Sequence, residues 1–199
     1  MGVCKVFILD PNDKSLVELY SVEKLYSRIE SLCGQRAGNW KVECDLWQYG
    51  PKTMHTAKFS HIKNKRYTLS GNLLMEASEE IEAIIIKLKN WVKRKSAKME
   101  GISFNLGDFT IEVGSVVVGS QDRGIIMRMA YGASTSQAQC VDLLTEMYTM
   151  IFRCTQTIPS TDEVFPVTDF QTVGLDPEDC GDRHMAFQYM TALKQSKIL

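Results

Sequence analysis
The chain has 199 residues, 44% hydrophobic and 24% charged, which suits one folded domain or two small ones and excludes a disordered chain. A formal charge of −1 and a sequence pI near 6.3 exclude duplex nucleic acid as the main partner, because binding a phosphate backbone needs a net basic face. No stretch approaches the length that crosses a bilayer, and the apolar run at 3–9 is too short for a secretory leader and holds Lys5.

From the amino end, Met1-Gly2 opens like a myristoylation site, but Val6 stands where Ser or Thr is required. Val3–Leu9 predicts a strand, and Asp-Pro-Asn-Asp at 10–13 a turn. Ser15 and Glu18 stand at capping-box spacing. Leu16, Leu19, Val22, Leu25, Ile29 and Leu32 continue as a helical stripe that Gly34 stops. Residues 39–50 alternate as a strand with Trp40, Val42, Cys44 and Leu46 on one side, and Pro51 ends it. Residues 54–62 form a weaker strand, and turns at Asn64-Lys65 and Gly71-Asn72 lead into strands at 66–69 and 73–77. Ser78 as N-cap, with Glu79, Glu80 and Glu82 near the positive end, predicts a second helix. Ile81, Ile84, Ile85, Leu88 and Val92 form its buried stripe, and Lys93, Arg94, Lys95 and Lys98 load its negative end.

Ile102, Phe104 and Leu106 alternate as a strand, and Gly107 turns it into a long hairpin. Its first arm is rich in β-branched residues from 109 to 118, and Gly119 and Gly124 bracket a four-residue polar loop. On the return arm Ile125, Met127, Met129 and Tyr131 share a face in phase with Ile111 and Val113, leaving Glu112 and Arg128 on the other. Val116, Val117 and Val118 run together, so Gly114-Ser115 marks a bulge. A cap at Ser134, Thr135 or Ser136 opens a third helix. Val141, Leu143, Leu144, Met147, Tyr148, Ile151 and Phe152 cover so wide an arc that it is expected to pack on two sides. Residues 158–182 predict irregular chain over the body, and 184–196 a last short helix with Ala186, Tyr189, Met190 and Leu193 on one stripe. Eight strands with short links define an α+β class: a mainly antiparallel eight-stranded β-barrel, or strongly curved sheet, flanked by three to four α-helices. Residues 1–199 are expected to form one barrel-like domain, with the valine, isoleucine and methionine of the strands turned inward to fill it.

Chemistry is sparse. Six cysteines, at 4, 33, 44, 140, 154 and 180, include no Cys-x-x-Cys and no histidine at ligand spacing, which fits free thiols in a reducing compartment. His55 and His61 share a strand face but lie about 20 Å apart, so with His184 they are expected to be structural. Ser103 in Gly-Ile-Ser-Phe-Asn lacks the second glycine of a nucleophile elbow. The glycines at 114 and 119 have phosphate-loop spacing without the following Lys, and a hairpin explains them better. Asp176-x-Glu178-x-Cys180-Gly181 resembles a calcium loop only faintly, because Cys180 is a wrong ligand and Phe187 falls where the last glutamate belongs. Lys93-Arg94-Lys95-x-x-Lys98 reads as a decorated helix end, or as an electrostatic patch for an acidic partner. No catalytic, cofactor-binding or metal-ligating residue is assigned.

The hairpin and its neighbours resemble a known family. The residues are Met1-Gly2-Val3, Lys87-Leu88-Lys89, Ala97-Lys98-x-Glu100, Asp108-Phe109, Val113-Gly114-Ser115-Val116, Gly119, Arg123-Gly124-Ile125, Tyr131-Gly132 and Gln188-Tyr189-Met190. In order and spacing they resemble the subunit 20 family of the Mediator complex of RNA polymerase II transcription, most closely over 80–135, more loosely over 1–50 and the C-terminus, and poorly over 51–75. The resemblance implies a nuclear, non-enzymatic scaffold subunit of the Mediator head that acts as a transcription coregulator. It also implies pairing with subunit 18, attachment to a helix of subunit 8, and an antiparallel barrel flanked by helices.

Two functions part on the barrel's interior. A scaffold would show a partner surface, with Phe187, Tyr189, Met190 and Leu193 of the last helix as interface candidates, together with Val116–Val118 and the tryptophans Trp40, Trp47 and Trp91. A small-ligand barrel or phosphate-acting barrel enzyme would instead direct acids and bases inward from alternate strand positions.

Overall fold
A computed structural model describes residues 2–9, 21–152 and 168–199. The expected turn at 10–13, the Ser15–Glu18 pair, Leu16, Leu19, Cys154 and residues 158–167 lie outside them. The strands are β1 (Val3–Leu9), β2 (Gln35–Tyr49), β3 (Lys52–Phe59), β4 (Lys65–Ser70), β5 (Leu73–Ser78), β6 (Val92–Leu106), β7 (Phe109–Val118) and β8 (Gln121–Tyr131). The helices are α1 (Val22–Ser31), α2 (Ile81–Leu88), α3 (Gln137–Phe152) and α4 (Asp182–Gln195), with a 3-10 turn at Phe170–Val173. Every neighbouring strand pair is antiparallel, in the order β1-β8-β7-β6-β2-β3-β4-β5. The sheet curls into a half-barrel with β1 and β5 as its two borders.

The borders are not paired with each other. Helix α4 lies between them, touching β1 on one side and β3, β4 and β5 on the other. Two of its side chains engage the exposed strand edges. Val6 N–H donates to Gln188 Oε1 at 3.0 Å and Gln188 Nε2 donates to the Cys4 carbonyl at 2.8 Å, so one amide stands in for a missing ninth strand on β1. Arg183 Nη2 donates at 3.1 Å to the Leu74 carbonyl of β5. The two-residue turn Gly71-Asn72 makes Ser70–Leu73 a hydrogen-bonded pair, so Leu74 presents its backbone groups away from β4.

The hairpin's two faces are as the alternation requires, but their direction is reversed. Val113 pairs with Met127 and Ile111 with Met129, and these side chains turn outward under α1 and α3. There they join Phe7, Leu25, Ile29, Leu144, Tyr148 and Ile151, all buried in one apolar layer. The concave face carries Cys4, Val6, Trp40, Cys44, Phe59 and Tyr67, with Glu112 and Arg128 among them. Tyr189 of α4 packs there on Phe59 (5.4 Å between centroids) and Trp40 (6.4 Å). The strand aliphatics therefore serve a second core outside the curl, because α4 already fills the inside.

Other elements differ in detail. Ser21 caps α1 by accepting the Lys24 N–H, and Cys33 holds the left-handed position after it (φ 67). Gly34 is needed for closeness instead: a Cβ there would sit 2.6 Å from Ile29 Cγ2. The hairpin loop has two residues, Gly119-Ser120, since Val118 pairs with Gln121. The bulge lies one step on from Gly114-Ser115, with Arg123 and Gly124 of β8 opposing Val116. Among the described residues α3 is covered on one face, with Val141 and Leu143 exposed. The cationic run 93–98 is strand, not a helix end. Lys89 in the left-handed conformation (φ 53) ends α2, and β6 begins at Val92 and pairs with β2 over most of its length.

Candidate functional site
The concave polar cluster comes from adjacent strands. Glu112 of β7 faces Arg128 of β8 across the ladder, and the pair is bidentate at 2.7 and 2.9 Å. Tyr189 Oη donates to the same carboxylate at 3.3 Å. Both charged residues are only 5% exposed. Burial opposes the charge of Arg128, but the hydrogen bond and the charge of Glu112 outweigh it and hold the guanidinium protonated. Burial pushes the Cys4 thiol up, with Arg128 offsetting part of that, and pushes the Tyr189 hydroxyl well above its ordinary range. The acid, the base and the hydroxyl are thus engaged with one another, and the thiol is kept in its unreactive form.

A second network lies on the outer face beneath α2. Arg66 Nη1 bonds Asp45 at 3.2 Å and Thr56 Oγ1 at 3.3 Å, and its Nη2 meets Glu82 at 2.6 Å. Lys93 joins Asp45 (3.0 Å) to Glu82 (2.8 Å) and lies over the Trp47 ring at 4.9 Å. Two cations face two carboxylates, so α2 is tied to the sheet by a neutral square of charge around Trp47, Met54 and Ile85.

Phe187, Tyr189, Met190 and Leu193, the interface candidates, are placed in the interior, none more than 8% exposed. Trp40 and Trp47 are buried as well; Trp91 is partly exposed against Tyr49 at 5.8 Å. His55 and His184 are buried, and burial lowers the proton affinity of each. His184 accepts the Gly181 N–H on Nδ1 (3.1 Å) and its Nε2 meets the Asp176 carbonyl at 2.9 Å, so it is neutral with its proton on Nε2. Asp176 Oδ1 accepts the Glu178 N–H, which makes this stretch a closed turn. No group of three or more His, Cys, Asp or Glu side chains able to hold a metal ion occurs among the described residues. Cys4, Cys44, Cys140 and Cys180 are buried free thiols, and Cys33 is an exposed one. Ser103 pairs with Glu112 across the ladder, with no base assembled on it among the described residues.

Gln188 and Arg183 are what periodicity missed. Their signal is local: a glutamine inside Met185-Ala186-Phe187-Gln188-Tyr189-Met190 must find backbone partners if its neighbours are buried. On the surface, an open groove of about 1110 Å³ runs beside α1, with Glu23, Glu100 and Asp122 along it and Lys41 as the one basic lining residue among the described residues. The exposed large apolar residues lie elsewhere, in one group on α2 and β5 with Tyr49 and Val92, and in another on α3 at Val141, Leu143 and Met150.

These features define a class: a curled antiparallel half-barrel filled by its own last helix, whose chemistry-bearing residues bind each other and whose distinctive outer features are surfaces. The particular family follows from comparison. The model for the TATA-binding related factor (TRF) of subunit 20 of Mediator complex matches residues 1–194, and the chain belongs to that family. It is similar to the human Mediator of RNA polymerase II transcription subunit 20, with 29% identity over 140 residues, 63% of this chain and 66% of that protein. The Arabidopsis thaliana subunit 20b is similar at 25% over 150 residues, 68% of each. The match to the human relative thus spans just under two thirds of that protein's length. Among solved structures, a chain of the Schizosaccharomyces pombe Mediator head module is similar at a TM-score of 0.46 and 9% identity, covering 76% of this chain and 94% of that one.

Proposed function
We propose that this protein is a nuclear, non-catalytic scaffold subunit of the Mediator head, serving RNA polymerase II transcription as a coregulator through protein–protein contacts. Its partners in this reading are subunit 18, as a heterodimer, and a helix of subunit 8. The family match across residues 1–194 carries the reading. The interior supports it: a ligand barrel needs room and an enzyme needs free acids and bases, whereas α4 occupies the curl and Glu112, Arg128 and Tyr189 are bonded to one another. Co-expression with a subunit 18 homologue, followed by size-exclusion chromatography, tests it. A 1:1 complex eluting ahead of either chain is expected. Two separate peaks, together with a pull-down from nuclear extract that recovers no Mediator head subunit, would overturn it.

A further inference from the structure
The outer face of the β2–β5 half combines two properties. It is apolar: Ile84 and Leu88 of α2, four residues apart on one side of the helix, are 51% and 57% exposed, and only Ile85 of that helix is buried. Tyr49, Leu73 and Met75 leave the sheet on the same outer side, in phase with Trp47 and Met54, and are 50%, 59% and 40% exposed. Tyr49 also meets Trp91, which the end of α2 delivers. The same half is basic. No aspartate or glutamate occurs between Asp45 and Glu76, nor between Glu82 and Glu100. Lys58, Lys65, Arg66 and Lys93 are neutralised by Glu79, Glu76, Asp45 and Glu82. Lys52, Lys87 and Lys89 are exposed and make no ion pair among the described residues.

Exposed aliphatics of this size, bordered by three free ammonium groups against one free carboxylate, Glu80, in a chain of net charge −1, are a surface awaiting cover. We infer that the outer face of α2, with Tyr49, Leu73 and Met75, is the docking site for an amphipathic helix of a partner protein whose apolar stripe is flanked by aspartate and glutamate. An i, i+4 ridge on α2 fits the groove of a second helix, and the lysines select the acidic one. The inference rests on the Mediator reading for its partner's setting, but not for its chemistry. Nucleic acid is the poorer occupant, since bare isoleucine and leucine would face phosphates.

The test uses the full chain, a variant carrying Ile84→Ser and Leu88→Ser, and a Lys87→Glu variant. The probe is a fluorescent helical peptide with a leucine stripe flanked by glutamates, beside a counterpart with glutamine in place of glutamate. Anisotropy is expected to show the glutamate peptide binding about tenfold more tightly than the glutamine one. The double-serine variant is expected to lose that binding and K87E to weaken it, while both unfold at the wild-type urea midpoint. Equal affinity for the two peptides, binding unchanged in the double-serine variant, self-association through this face, or displacement of the peptide by a DNA or RNA oligonucleotide would each overturn the inference. A parallel pull-down from nuclear extract separates the two questions. Wild type recovering no Mediator subunit counts against the Mediator reading, and the peptide result alone decides the surface.

Discussion
Along α4, Phe187, Tyr189, Met190 and Leu193 are at most 8% exposed, whereas along α2, Ile84, Ile86 and Leu88 are 51–57% exposed. Both helices lie on the same sheet, α4 on its concave face and α2 on its convex one, and both are rich in large apolar side chains. The concave side wraps its helix from several strands at once; the convex side can offer only a tangent. A helix on the outside of a curl is therefore half covered unless another element flanks it, as α1 and α3 flank each other on β7, β8 and β1. Helix α2 has no such neighbour among the described residues and is held instead by Arg66, Lys93 and their carboxylates. What looks like one kind of helix in sequence is a plug in one place and an unsatisfied surface in the other.

Substitutions should separate the two cleanly. The largest loss is expected from Tyr189→Ala, about 3–5 kcal/mol, because it empties the centre of the concave core and removes a donor to Glu112. Urea unfolding followed by near-ultraviolet circular dichroism measures it. Arg128→Met is expected to cost a similar amount, about 3–5 kcal/mol, by leaving the Glu112 carboxylate buried without its cation. Adding Glu112→Leu to that variant should restore most of the loss; a double variant as unstable as the single one would show that the pair matters for more than charge balance. Gln188→Ala should cost about 1–3 kcal/mol through the two bare backbone groups of β1, and should make the chain associate as its concentration rises, which light scattering detects.

Acid acts on the α4 side as well. His55 and His184 bind protons less readily folded than unfolded, since burial penalises the charged ring. The unfolded chain therefore takes up protons first. The stability these two rings contribute is complete above their unfolded pKa, about 6.5, and is lost as pH falls through the lower folded values. Urea midpoints should fall between pH 7 and pH 5, and His184→Gln should flatten the fall. The smallest effect belongs to α2: Leu88→Ala is expected to move stability by no more than about 0.5 kcal/mol, because the side chain is already in water. A loss of several kcal/mol there would mean that α2 is as well covered as α4.

Much of this was legible in the residues. Alternation in 109–131 placed Ile111, Val113, Met127 and Met129 together, and the pairing Val113–Met127 and Ile111–Met129 confirms the partition. Alternation cannot say which side of a curled sheet is concave; that depends on where α4 goes, and α4 reaches β1 from the far end of the chain. Residues 93–98 read as a helix end because lysines there and lysines on a strand beside Glu43 and Asp45, where Lys98 pairs with Glu43 and Lys93 reaches Asp45, present the same local sequence. The stripe of α4 was visible through Tyr189, Met190 and Leu193, but a stripe shows one covered face, and here strands wrap around both.

Gln188 lies 182 positions beyond the Val6 amide that it satisfies. Until α4 is made, then, β1 keeps a bare hydrogen-bonding seam on the edge that Gln188 later covers. A product lacking Asp182–Gln195 is expected to keep that seam, with Trp40 and Phe59 open to water. Such a fragment is expected to pair through that edge with other chains, so that loss of α4 alone costs the fold its closure.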